Sequence, residues 1–566
     1  MSVELSAVRR GRGRARSAVG LLLAVAWCSP SLHAQSAEGV RAQIEKSLPA
    51  AEAQLGKSAL SHGAYPALQQ VYAASGDAPL WSRDGRATEQ ARALLRELQE
   101  AENYGLRTQD YAPENIAPPP EGPARAPAAS PEQLARFDVA LSRAALRFIC
   151  DLHFGRVTPE AAGFQLDQPR DPYDLGLALK SLASAPDMAG ALTAVEPAFY
   201  HYKLLKDALA HYRKMALEPH LTELPPIKSS VKVGDAYAGA AQLRHLLEVL
   251  GDLPPGGTGA AAEPTFDANL SSGVRSFQQR HGLTPDGALG KSTLAALQTP
   301  LARRIRQISL TLERWRWLTP FKTPPIIVNI PQFQLFAFRT TEDRVADILQ
   351  MNVIVGRTFA HTQTPVFEKD MRYVVLRPYW DVPYSITKNE MLPKMRANPR
   401  YLAAQHLEIV NGQNDSSPVV PPTPENIEAL AAGKLRLRQQ PGEDNALGLA
   451  KFLFPNSYNV YLHSTPAHRL FQESVRTFSH GCIRVADPLA LATLVLKDAP
   501  GDWTREKIQA AMNGTRTIRV NLTRPINVLI LYATALATEA GPMLFFDDIY
   551  GYDKKLEGQL GLGPVR

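Results

Sequence analysis

At Pro325 the hydrophobic period of this 566-residue chain changes, and that change limits the folds open to it. Before it, apolar residues recur at helical spacing. Leu134, Phe137, Leu141, Ala145, Phe148 and Leu152 follow one another at three- and four-residue steps, an apolar stripe along one helix. After it come short runs rich in β-branched and aromatic residues, at 326–330, 333–338, 348–356, 371–376, 459–463, 482–485 and 517–522, which predict strands. The chain reads as α+β and multi-domain, and at roughly 150 residues per domain its length suggests three or four domains. A helical scaffold region is expected at 40–225, a compact three-helix unit at 230–300 and a mostly β domain at 325–525. An inserted, partly helical segment interrupts the last of these at about 385–450, and residues 526–566 form an extension that packs on it. An insertion of that length in a β domain suits a lid.

Within the helical part, 112–131 is a Pro/Ala-rich loop, and Cys150 falls inside a helix as a packed thiol. In the three-helix unit, Leu243, Leu246, Leu247 and Leu250 mark a first helix stopped by Gly251. A Gly/Pro-rich insertion at 252–264 follows. Leu270, Val274 and Phe277 mark a second helix, and Leu294 and Leu297 a third. Between these two, Thr284-Pro285-Asp286-Gly287 has the residues of a type I turn. With Phe277, Gly282, Asp286-Gly287 and Gly290 in order, residues 274–297 resemble the small peptidoglycan-binding domain. The alternative is a helical spacer, because these residues shape the fold more than they touch glycan.

The formal charge of +7 invites a nucleic-acid reading that its distribution excludes. Arg9, Arg10, Arg12, Arg14 and Arg16 stand against Glu4 in residues 1–34, a net of +4 that leaves +3 on the rest. The basic start is followed by an apolar run at 18–28 and a small residue at Ala34, the pattern of an export signal. That run is shorter than the roughly 18 residues a bilayer span needs. The expected location is the periplasm, with an uncleaved inner-membrane anchor as the alternative. Three cysteines, Cys28, Cys150 and Cys482, exclude a disulfide scaffold.

Residues 459–485 carry the chemistry. On alternating strands Val460 and Leu462 would face the core and leave Asn459, Tyr461 and His463 on the other side. Ile483 and Val485 would likewise leave His480, Cys482 and Arg484 outward. If the strands are neighbours, a thiol, two imidazoles, a phenol and a guanidinium share one surface. A nearby His raises the thiolate fraction of a Cys. Gly481 permits a tight turn whose N–H groups, at 481–482, would form an oxyanion hole. The Ser464 carbonyl would hold the imidazole tautomer. Two bland readings stand beside this one: zinc bound by His463, His468, His480 and Cys482, and a buried structural thiol.

His463, fifteen residues, then Ser479-His480-Gly481-Cys482 resembles the signature of the L,D-transpeptidase catalytic family, in its long multi-domain Gram-negative branch. Arg484 stands where many members have Asn, as in that branch. NALG at 445–448, KFLFPNSYNVYLH at 451–463, RTFSHGCIRV at 476–485 and DIYGYD at 548–553 extend the similarity. The resemblance implies murein acyl transfer with Cys482 as nucleophile, His463 as base, and His480 and Gly481 ordering the site. It further implies substrate contacts from Tyr461, Arg484, Ser479, Trp380 and Tyr384. Stem peptides of peptidoglycan are the implied partners, with room for other cell-wall synthesis proteins and with no nucleic acid, membrane span, metal or organic cofactor. A wall cysteine hydrolase and a non-catalytic wall-binding scaffold are the competing readings.

Overall fold

The computed structural model describes residues 30–119, 129–166, 172–255, 264–341, 348–359, 361–539 and 541–564. The export segment expected at 1–34 lies outside these up to residue 29, together with Cys28, as do parts of the loops expected at 112–131 and 252–264. Pro30 to Ala34 open helix α1 (Pro30–Glu52). No described helix is long and apolar enough to cross a membrane.

Helix α2 (Pro131–His153) starts where the sequence says it should. The Ser130 hydroxyl accepts the Gln133 N–H, the Gln133 side chain returns to the Ser130 N–H, and Pro131 follows the cap. Its stripe is buried against α1 and α3 (Leu175–Ser184), and Cys150 is fully buried among these helices. Helix α4 (Tyr200–Met215) shares a core with the next unit, whose helices α5 (Ala240–Val249), α6 (Ala268–Arg280) and α7 (Lys291–Leu297) bury Leu243, Leu247, Leu270, Val274, Phe277 and Leu294. The expected turn differs in detail. The Asp286 N–H bonds the Thr284 carbonyl at 2.9 Å, and the Asp286 carboxylate accepts from the Ala288 N–H and the Gln278 amide. Helix α8 (Leu301–Trp315) leads into the β domain.

That domain is a barrel-like sheet. Its strands are β1 (Ile326–Asn329), β2 (Gln334–Ala337), β3 (Leu349–Gly356), β4 (Phe367–Leu376), then, after an insertion, β9 (Ala450–Leu453), β10 (Leu462–His463), β11 (Thr477–Ser479), β12 (Ile483–Val485) and β13 (Ile518–Leu531). The order is β11-β3-β12-β10-β9-β4-β13-β1-β2, and β2 pairs back onto β3 to close the ring. Val328, Leu335, Val353, Met371, Val374, Leu462, Ile483 and Ile530 fill it. The expected boundary at 525 cuts a real element. β13 is continuous to Leu531, and Val528–Leu531 pair in parallel with β1, so those residues belong to the barrel rather than to an extension. Beyond it, β14 (Ala535–Ala537) and β15 (Met543–Phe545) form a hairpin against α4 and the three-helix unit.

The insertion, expected to be partly helical, is a small folded unit that also has its own sheet. Strands β5 (Trp380–Asp381), β6 (Leu407–Val410), β7 (Val419–Val420) and β8 (Arg436–Gln439) form a sheet in the order β5-β8-β6-β7. Helices α9 (Leu392–Ala397) and α10 (Pro424–Ala431) pack on it over Leu392, Met395, Leu407, Ile409, Leu430 and Leu437.

Candidate active site

Strands β10 and β12 run side by side in parallel, with Leu462 opposite Ile483 and His463 opposite Arg484. β9 flanks β10 on its other edge and sets Lys451 opposite His463. The alternation expected from sequence holds for Val460, Leu462, Ile483 and Val485, all buried in the barrel core. The strand expected over 459–463 is shorter, because Asn459 adopts φ 54° and pairing begins only at Leu462. Asn is among the few non-glycine residues that enter this left-handed region readily.

Cys482 is half-buried just before β12. Its Sγ–H donates to the Asn459 carbonyl at 3.6 Å, which the left-handed turn presents to it. The N–H and hydroxyl of Tyr461 also reach the sulfur. Burial pushes the thiol up from its ordinary range, and Tyr461, Arg484 and Lys451 oppose that shift. His463 is 4% exposed, and its Nδ1–H donates to the Ser464 carbonyl at 2.5 Å, leaving the Nε2 lone pair as the basic site. Burial, then the charges of Arg484 and Lys451, push the imidazole down to about 3, against the carbonyls of Ser464 and Leu447. The Tyr461 and His463 rings are 5.7 Å apart. In this resting arrangement the thiol bonds to Asn459 and Tyr461, and no hydrogen bond joins it to His463.

The turn that carries Cys482 is braced from below. Gly481 adopts φ 120°, which its missing Cβ permits, and its carbonyl accepts the Thr364 hydroxyl at 2.8 Å. The Gly481 N–H donates to Ser479 Oγ at 3.1 Å, and that hydroxyl donates to the Cys482 carbonyl. Two expectations change here. The Gly481 amide is engaged inside the turn, which takes it out of the pair of N–H groups expected at 481–482. Ser479, 3% exposed, braces the turn instead of facing substrate.

His480 also departs from its expected place. Its Nε2 sits 2.7 Å from Glu390 of the insertion and 3.5 Å from Arg357, so it joins the Cys482 turn to the insertion. His468 lies on a short turn beside Phe471, so the histidines weighed as zinc ligands take separate directions. Arg484 lines a cavity of about 350 Å³ between barrel and insertion, along with Trp380, Lys394, Tyr401, Asp444 and Thr465. The buried Nε of Arg484 has no hydrogen-bond partner among the described residues. Tyr384 does not line this cavity; its hydroxyl donates to the Ala431 carbonyl at 2.7 Å within the insertion. Sequence reasoning missed Lys451, Thr364 and Glu390. Only Lys451 left a signal, a charge between the buried Ala450 and Phe452 on an alternating strand.

Three family profiles match the chain: a scaffold domain over residues 66–209, a "putative peptidoglycan binding domain" over 238–297, and an L,D-transpeptidase catalytic domain over 324–516. A curated protein of Haemophilus influenzae, named "Putative L,D-transpeptidase", is 33% identical over 252 residues, which is 44% of this chain. The chain spans about half of that relative's length, 49%. The match over 324–516 contains the barrel, the insertion, His463 and Cys482. Residues 324–516 are therefore similar to the L,D-transpeptidase catalytic domain, and they follow segments similar to a scaffold domain and to a "putative peptidoglycan binding domain".

Proposed function

We propose that the protein is a murein acyltransferase that forms 3→3 cross-links between peptidoglycan stems through a Cys482 acyl-enzyme. The observation that carries this reading is the polar face of β9, β10 and β12, where a half-buried thiol and a carbonyl-anchored, neutral imidazole share the surface with Arg484, which itself lines the cavity. Cys482 attacks the carbonyl of the diamino acid at the third position of a tetrapeptide stem. The thiol proton passes by way of His463 Nε2 to the departing D-alanine amine. The Cys482 amide, with Tyr461 as a second donor, steadies the oxyanion. Arg484 holds a stem carboxylate, and Trp380 forms part of the donor wall. The side-chain amine of a second stem, deprotonated by His463, then takes the acyl group and frees the thiol. Export to the periplasm by residues 1–34 would bring the enzyme to this substrate.

A purified assay with a tetrapeptide stem, with and without an amine-bearing acceptor stem, tests this. The expected result is cross-linked dimer plus D-alanine when acceptor is present. Release of D-alanine with tripeptide as the sole product, acceptor or not, would assign the protein as a wall hydrolase.

A further inference from the structure

The register of β9 places a lysine where the reading of sequence offered none. Lys451 stands directly opposite His463, between Ala450 and Phe452, whose side chains fill the barrel. Its Nζ lies 6.0 Å from the centre of the Tyr461 ring, the residue whose hydroxyl and N–H reach the Cys482 sulfur. No carboxylate lies within ion-pair distance of it among the described residues. Asp381 and Asp415 of the insertion act on it only through space, and Asp381 is itself paired with Arg436. A half-buried ammonium without a counter-ion is costly, and burial pulls the Lys451 amine down from its usual range. A surface lysine would turn to water; this one is held against the catalytic face.

We infer that Lys451 is a positioning residue for the nucleophile, whose ammonium, acting with Arg484, supplies the positive field in which the Cys482 thiolate forms. This rests on Cys482 being the nucleophile. In the step it assists, the S–H bond breaks, the electron pair stays on Sγ, and the proton moves to His463 Nε2 and onward to the leaving amine. The groups that face this pair are Tyr461 and His463 from the β10 segment, Arg484 from β12 with Arg357 behind it, and Asp381 and Asp415 from the insertion. The two cations act alike on both partners, favouring thiolate while opposing imidazolium. The proton therefore does not come to rest on His463, as a base that must pass it on requires.

The test is the pH dependence of Cys482 alkylation by iodoacetamide, read by peptide mass in the intact chain between pH 5 and 10. Lys451→Met should move the profile to higher pH, so that alkylation at pH 7 slows at least about threefold, while Lys451→Arg overlays the wild type. If Lys451→Met lowers the unfolding temperature sharply, Lys451→Gln is read in its place under the same criterion. A profile unchanged in the neutral variant, or shifted equally by Lys451→Arg, overturns the inference. Failure of the underlying reading looks different: Cys482 in the wild type would then resist alkylation at every pH while reacting in the urea-unfolded chain.

Discussion

Burial sets His463 and Cys482 far apart in proton affinity, lowering the imidazole and raising the thiol, and this separation has two measurable consequences. The imidazole, near 6.5 when unfolded, is held at about 3 in the fold. The unfolded chain thus binds a proton that the native chain refuses. The stability is fully present above pH 6.5 and is lost as pH falls toward 3, by about 3 kcal/mol at pH 4.5. Urea unfolding at pH 7 and pH 4.5 should therefore show a smaller acid loss in His463→Gln than in the wild type; an equal loss would mean that His463 is not held neutral. The thiol, raised by burial, stays protonated at neutral pH. Its reaction with a small electrophile should climb about tenfold per pH unit from 6 to 8 without levelling, and a plateau near 7 would contradict the burial argument. The Cys482 and His463 pair was legible in sequence because alternation alone puts both opposite the core residues Leu462 and Ile483. The roles of Ser479 and His480 were not. Adjacent to the thiol in sequence, they spend their side chains on the turn and on Glu390, and no periodicity reports such a choice.

Among the elements, the strands read from β-branched runs were found and the charged ones were overlooked. β6 and β8 carry Glu408, Arg436 and Arg438, which look like loop residues. In the fold Arg438 pairs with Glu408, and Arg436 with Asp381 on β5, so the charges are matched across the sheet. The strand expected at 517–522 is longer in the fold, running on to Leu531. β13 passes through Pro525 by shifting register between Asn521 and Ile526, the irregularity at which a strand tolerates proline. The insertion has its own small core, and this gives it separate stability. Ile409→Ala should cost about 2–5 kcal/mol there. Hydrogen exchange should then quicken in β6 and β8 while β1, β4 and β13 keep their protection. Equal loss in the barrel strands would mean that insertion and barrel unfold as one unit.

At the scale of the whole molecule, the order of a helical scaffold, a three-helix unit and a β domain was visible in the changing period of the sequence. What joins them was not, since the partners lie up to 454 positions apart. Arg280 of α6 pairs with Asp252 and donates to the Met543 carbonyl, fastening the three-helix unit to the β14–β15 hairpin. Glu313 of α8, fully buried, accepts the N–H groups of Arg156 and Val157 and pairs with Arg316, which in turn reaches Tyr104 and Tyr202 of the scaffold. Removing that carboxylate strands a buried guanidinium, so Glu313→Ala should destabilise the chain by about 3–5 kcal/mol. Calorimetry checks this, and a loss below about 1 kcal/mol would show that the junction tolerates the missing charge. Through such junctions the scaffold and the three-helix unit hold the β domain, for which the proposed chemistry converges on one thiol. Intact mass measurement of the full chain after incubation with a carbapenem tests that convergence most directly. One covalent adduct, mapped to Cys482 and absent from a folded Cys482→Ala variant, is the predicted result; an unmodified wild-type mass, or an adduct that persists in Cys482→Ala, would contradict it.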